Sequence, residues 1–223
     1  MILQKVNKFI DSTLIDLGRQ FRWSYLPPLM VYVAAGISGL TGIVGIFFIK
    51  DYLNLSAAFL AGLGFWAGIP WALKMPLGHL VDLIWSRKNY LVFVGAGLIA
   101  LSIIIMYGLI IHTETMASIL KVETWFIVSA LLAPVGYVTQ DVVADAMTVE
   151  AVPSTDDQGN KYPAQQVKTM HTTMQTLGRF AIIGGFVLVA LVNVVMFAGV
   201  SALSEPEKIE IYGRIYLYAL IIP

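Results

Sequence analysis

Residues 90–111 read YLVFVGAGLIALSIIIMYGLII, a run of 22 residues without one charge. A bilayer core about 30 Å thick is crossed by about 20 apolar residues of α-helix. A helix also satisfies its own backbone hydrogen bonds, which lipid cannot do for it. This stretch therefore predicts a membrane-spanning helix. On either side of it lie four more segments of the same kind, at about 26–49, 57–81, 124–149 and 169–200. A last apolar run, 211–223, is too short to cross, so the chain is expected to stop inside a sixth helix. The expected organisation is a cytoplasmic N-terminal segment, 1–25, followed by a transmembrane helix bundle, 26–223, truncated in helix six. The fold class is an all-α membrane protein.

Composition points the same way. Hydrophobic residues make up 58% of the 223 residues and charged ones 13%, where a soluble domain carries about 25% charged. The net charge is zero, which offers nothing to nucleic acid. With no cysteine, disulfides, thiolate catalysis and cysteine-ligated metal are excluded. His79, His112 and His171 have no metal-ligand spacing. Gly36-Ile37-Ser38-Gly39 is not a nucleophile elbow. Gly62, Gly64 and Gly68 follow no strand, so they make no nucleotide fingerprint. No enzyme constellation, metal site or cofactor is expected.

Basic residues set an expected orientation. With the N-terminus inside, the cytoplasmic segments hold Lys5, Lys8, Arg19, Arg22, Arg87, Lys88, Lys161 and Lys168. The outer segments hold Lys50, Lys121, Lys208 and Arg214. Eight against four follows the positive-inside rule. The polar stretch Pro153 to Lys168 is then a cytoplasmic loop. Within the spans, Gly36, Gly39, Gly42 and Gly45 recur every three residues on helix one, as at close helix contacts. Pro70 and Pro76 flank Trp71 and Lys74, and make helix two an expected bending element.

Four ionisable residues lie inside spans: Lys74, Asp141, Asp145 and Arg179. A charge at the bilayer centre costs at least about 2.5–3.5 kcal/mol, so such groups face a cavity or a partner. At about 1.5 Å per residue, Lys74 and Asp141 both lie about 25 Å down their descending helices. Asp141 and Asp145, four apart, share one helical face, with Thr148 next on it. Lys74 and one of the aspartates are therefore expected to neutralise each other. Arg179, near the midplane, has no carboxylate at its own depth and invites an anionic ligand. Ordinary packing of helices, or a wet vestibule, is the plainer explanation of the same charges.

With those residues in hand, a resemblance appears. The stretch 47–82, FFIKDYLNLSAAFLAGLGFWAGIPWALKMPLGHLVD, resembles the folate–biopterin transporter family, a branch of the major facilitator superfamily. Family elements "K-D-x-L-x-L-S", "P-W-x-x-K-P" and "G-x-x-x-D" are similar to the residues from Lys50 to Ser56, from Pro70 to Pro76, and to Gly78 with Asp82. The run from Asp141 to Glu150, DVVADAMTVE, is similar to the family's "D-V-V-x-D-x-x-V-E". Leu177-Gly178-Arg179 with Gly184-Gly185 is a third match. Met75 separates Lys74 from Pro76, a departure from the family, and the loop from Leu83 to Lys88 lacks the common facilitator glycine.

The resemblance implies twelve helices in two six-helix halves, of which this chain covers the first. It implies a secondary active transporter of a small polar or anionic solute, folate- or pterin-like, working by alternating access as a proton symporter. Lys74, Asp141, Asp145 and Arg179 are then the substrate and coupling residues, and Gly78, Asp82, Arg87 and Lys88 the cytoplasmic gate. The partners would be the lipid bilayer, the small-molecule solute and the second half. The alternative is a non-transporting membrane scaffold or assembly factor of the same fold, held in a larger membrane complex.

Overall fold

A computed structural model describes residues 16–48, 55–156 and 158–223. Lys5 and Lys8 of the expected cytoplasmic segment, and the stretch 50–54 that opens the first family element, lie outside the described residues. The described chain is helical. Among the described residues, five helical segments are long and apolar enough to cross a membrane: Trp23–Ile46, Ala57–Leu83, Trp85–Ile111, Val122–Ala151 and Ala164–Ala202. All five expected spans are present. Most run a few residues longer than expected, because the polar residues at their ends continue the helix.

The first span opens with α1 (Leu26–Ile37), which has proline in its first turn. There the missing N–H has no helical partner to lose. It tightens into a 3-10 turn at Ser38–Thr41 and resumes as α2 (Gly42–Phe48). Ser38 Oγ donates to the Ala35 carbonyl at 2.6 Å, a local bond that competes with the helical ladder. The second span is α3 (Ala57–Ala72) and α4 (Lys74–Leu83). Ser56 Oγ caps α3 by accepting from the Phe59 N–H at 3.2 Å. The break at Leu73 falls between Pro70 and Pro76, each of which removes a donor from the ladder.

The third span is α5 (Lys88–Ile111), followed by the short α6 (Thr113–Ile119). The fourth is α7 (Val122–Ala151) and the fifth α8 (Ala164–Met196). After α8 the chain turns at Gly199, whose φ of 76° is left-handed and suits glycine. The final helix, α9 (Glu205–Ala219), starts six residues before the expected apolar run. Its first turns carry Glu205, Glu207, Lys208 and Glu210, so hydropathy alone misses them.

The helix α7 organises the bundle. It packs along α5 most extensively and also touches α1, α3 and α4. Glycine decides where backbones meet. A Cβ on Gly136 would stand 2.7 Å from the Gly95 carbonyl of α5. A Cβ on Gly185 of α8 would stand 2.7 Å from Gly36 Cα of α1. Along α5 and α7 the contact is also hydrogen-bonded. Ser102 Oγ donates to Ser129 O at 2.8 Å and Ser129 Oγ returns to Ser102 O at 3.0 Å. Gln140 Nε2 donates to Val92 O at 3.2 Å. Such bonds between membrane helices stabilise by about 0.6–2 kcal/mol each. In contrast, α3 buries none of its residues.

The N-terminal segment and the loop after α7 share one end of the bundle. Ser24 Oγ donates to the Ala151 carbonyl at 2.8 Å, and the Arg22 guanidinium lies 5.9 Å above the Tyr162 ring. Tyr25, Ala151, Val152, Met170 and Met174 form a separate apolar cluster there.

Candidate functional site

The proline-flanked break in the second span places Lys74 at the start of α4. A cation in the first turn of a helix is disfavoured by the aligned peptide dipoles, so a nearby anion is needed. Two are supplied by α7. Lys74 Nζ lies 2.6 Å from Asp141 Oδ2 and 2.8 Å from Asp145 Oδ2. The four-residue spacing turns both carboxylates to the same side.

A third helix joins through Tyr32 of α1, whose hydroxyl donates to Asp145 Oδ1 at 2.7 Å. The Tyr32 ring rests on Gly178 of α8, where a Cβ would come within 2.8 Å of it. The next residue, Arg179, is exposed, and its charge reaches the Tyr32 hydroxyl along with those of Asp141 and Asp145. Three spans thus bring one cation, two anions and a phenol together, and a fourth supports the phenol through Gly178. The side chains of Asp141, Lys74 and Asp145 are 17%, 37% and 49% exposed, so the cluster stands open rather than sealed in protein. Thr148 does not take part; its hydroxyl donates back to the Asp145 carbonyl at 2.6 Å.

At the expected gate the residues divide. Gly78 lies against Val142 of α7, within 4.0 Å of where its Cβ would be. Lys88 is paired: Nζ lies 2.6 Å from Glu150 Oε1, 3.3 Å from the Trp85 carbonyl and 3.9 Å from the Trp85 ring centre. Its side chain is only 7% exposed. Asp82 and Arg87 are both exposed and form no ion pair among the described residues. The clasp seen at this end therefore joins α5 to α7 through Lys88 and Glu150.

Sequence reasoning singled out neither Tyr32 nor Glu150 for a role. Tyr32 carries no charge, so no burial cost draws the eye to it; its signal is the four-residue spacing to Gly36 on one helical face. Glu150 closes the acidic run of α7 and was read only as part of that run.

Known proteins support the resemblance. Over 138 residues, the chain is 29% identical to the folate-biopterin transporter of Synechocystis sp.. The chain is similar to a folate-biopterin transporter. The match takes in 60% of this chain and 26% of that protein, so it spans about a quarter of the relative's length. No family model matches the chain, and no solved structure matches it.

Proposed function

We propose that this chain forms the first half of a secondary transporter that moves a small polar or anionic solute, of folate or pterin kind, by alternating access coupled to protons. The observation that carries this is Lys74 shared by Asp141 and Asp145 in an open setting. The similarity to a folate-biopterin transporter favours the same class. The N-terminus and the loop after α7 would face the cytoplasm, as the basic residues direct. A second six-helix half would close the other side of the cluster, as in transporters whose halves rock about a midplane site.

The chemistry follows from competition for the same cations. An anionic solute meeting Arg179 or Lys74 draws Lys74 away from an aspartate. A proton on Asp145, the more exposed carboxylate, does the same from the other side and also weakens its contact with Tyr32. Either event loosens α4 from α7 and changes how α1 sits on α7. A ligand shifts such an equilibrium only by its differential affinity for the two states, and here the difference lies in which partner holds Lys74.

The test is uptake of labelled folic acid and of a labelled pterin into cells expressing the protein from its full reading frame. Uptake above empty-vector cells, reduced roughly tenfold or more by Lys74→Met, agrees with the proposal. Wild-type protein that reaches the membrane and moves neither solute, nor any other small anion offered, overturns it in favour of a scaffold.

A further inference from the structure

The first half of α8 carries a polar stripe. Gln165, Lys168, Thr172, Gln175 and Arg179 follow one another at spacings of three and four, which puts them on one face. All five are exposed. At 1.5 Å per residue the stripe is about 21 Å long. Thr172 gives its hydroxyl back to the Lys168 carbonyl at 3.1 Å. The side chains of the other four make no hydrogen bond or ion pair among the described residues. From Ala164 to Met196 the helix has no carboxylate, so its two cations, Lys168 and Arg179, make this face positive.

The stripe runs into the membrane rather than ending at its edge. Met170 and Met174, on the turns between these residues, pack with Tyr25 at the start of the first span. Gly178 lies under the Tyr32 ring, further along that span. Over the same stretch α1 turns Leu26, Met30 and Val33 outward, the side chains that lipid requires. Amides and cations are expensive in lipid, so at this depth they face a water-filled cavity or a partner. Higher up, the same face changes character. Phe186, eleven residues beyond Gln175 and so at nearly the same angle, is 54% exposed, and Ile183 is 55% exposed. The polar stripe ends at Arg179, whose charge reaches the Tyr32 hydroxyl beside Asp145.

We infer that this stripe is the wall of a water-filled entry path, along which a small anion moves from the end of the bundle that holds the loop after α7 to the Lys74 cluster. Lys168 is its outer cation and Arg179 its inner one. A wall of one sign beside a low-dielectric medium concentrates the opposite charge along it. Between the cations, the Gln175 amide offers both donors and an acceptor to what passes. The path rests on the transport reading for its traffic, a small anion, but not for its water.

The chain holds no cysteine, so single thiols placed on it report the path. Gln175→Cys, Phe180→Cys and Phe186→Cys are made in the full reading frame, with the unsubstituted protein as background. Membranes open on both faces are treated with an anionic and a cationic methanethiosulfonate of similar size. Gln175→Cys should react and the two phenylalanine variants should not, because the reactive thiolate forms only where water reaches. Relative to a free thiol, Gln175→Cys should favour the anionic reagent by about tenfold, and adding Lys168→Gln should cut that preference. Should Gln175→Cys fold poorly, Thr172→Cys on the same face takes its place. Phe180 sits beside Arg179 but about 100° round the helix. Equal labelling of Phe180→Cys would mean a helix end standing in bulk water and overturns the path. No labelling of Gln175→Cys, as when a second half covers the face, overturns it too. Labelling without anionic preference overturns the anion traffic. Anion-selective labelling in a protein that takes up no solute leaves the path standing and the transport reading fallen.

Discussion

The Tyr32 hydroxyl of the first span donates to the Asp145 carboxylate of the fourth at 2.7 Å. The same carboxylate holds Lys74 of the second. One aspartate is thus the meeting point of three spans, and whatever changes its charge is felt by all of them.

Tyr32→Phe keeps the ring on Gly178 and removes only the donor. Stability should fall by about 0.5–1 kcal/mol, the usual worth of one such bond between membrane helices. Uptake should fall far more than that. Comparison of the unfolding midpoint with uptake per unit protein checks the split.

Glycines of the spans should divide sharply. Gly136→Val and Gly185→Val force a side chain into a neighbouring backbone, an overpacking that costs about 1–3 kcal/mol or more. Gly42→Ala and Gly62→Ala meet nothing within 4 Å and should leave the midpoint unchanged or raised. Midpoints in one detergent compare all four.

At the clasp, the two halves of the pair are unequal. Lys88 is nearly enclosed, whereas Glu150 is 42% exposed. Glu150→Gln leaves an enclosed ammonium without its anion and should cost about 1–3 kcal/mol. Lys88→Met keeps an apolar chain against Trp85 and frees a carboxylate already in reach of water, so it should cost less. The order of the two midpoints is the measurement.

In the loop after α7, Asp156 accepts from the N–H groups of Gln158 at 2.9 Å and Asn160 at 2.8 Å. These bonds, that from the Asn160 backbone first, hold its carboxyl below the ordinary value of 3.8. Because the folded value is the lower one, the loop's order is kept above 3.8 and lost as pH falls through the depressed value. Asp156→Ala should be cut faster in this loop at neutral pH, and wild type should become equally sensitive to an acid protease only well below 3.8. In sealed right-side-out vesicles the loop should be protected, as an inward loop requires.

Much of this was readable from residue types and positions. Lys74 and Asp141 could be paired because charges in lipid need partners and equal depth leaves few choices. The spans were readable because apolar length is itself the physical requirement. What escaped was set by packing. Gly36 and Gly42 look alike in the sequence, yet one touches another backbone and the other nothing. Tyr32 escaped because a neutral phenol costs little in an apolar helix until its hydroxyl finds Asp145. Arg87 and Lys88 are adjacent members of the expected gate, but only Lys88 at the first position of α5 reaches both Trp85 and Glu150. The start of α9 escaped because its charged first turn hides a helix that hydropathy cannot see.

The central claim is that Lys74 and its aspartates form a switch that moves with the solute. A double-mutant cycle on Lys74→Met and Asp141→Asn, read both as unfolding midpoint and as uptake, tests it most directly. Lys74→Met alone leaves two carboxylates unanswered on one helical face; adding Asp141→Asn removes one of them. The account predicts that the double variant is more stable than Lys74→Met alone, approaching wild type, while its uptake stays lost. Strictly additive losses of stability, or wild-type uptake in Lys74→Met, would contradict it.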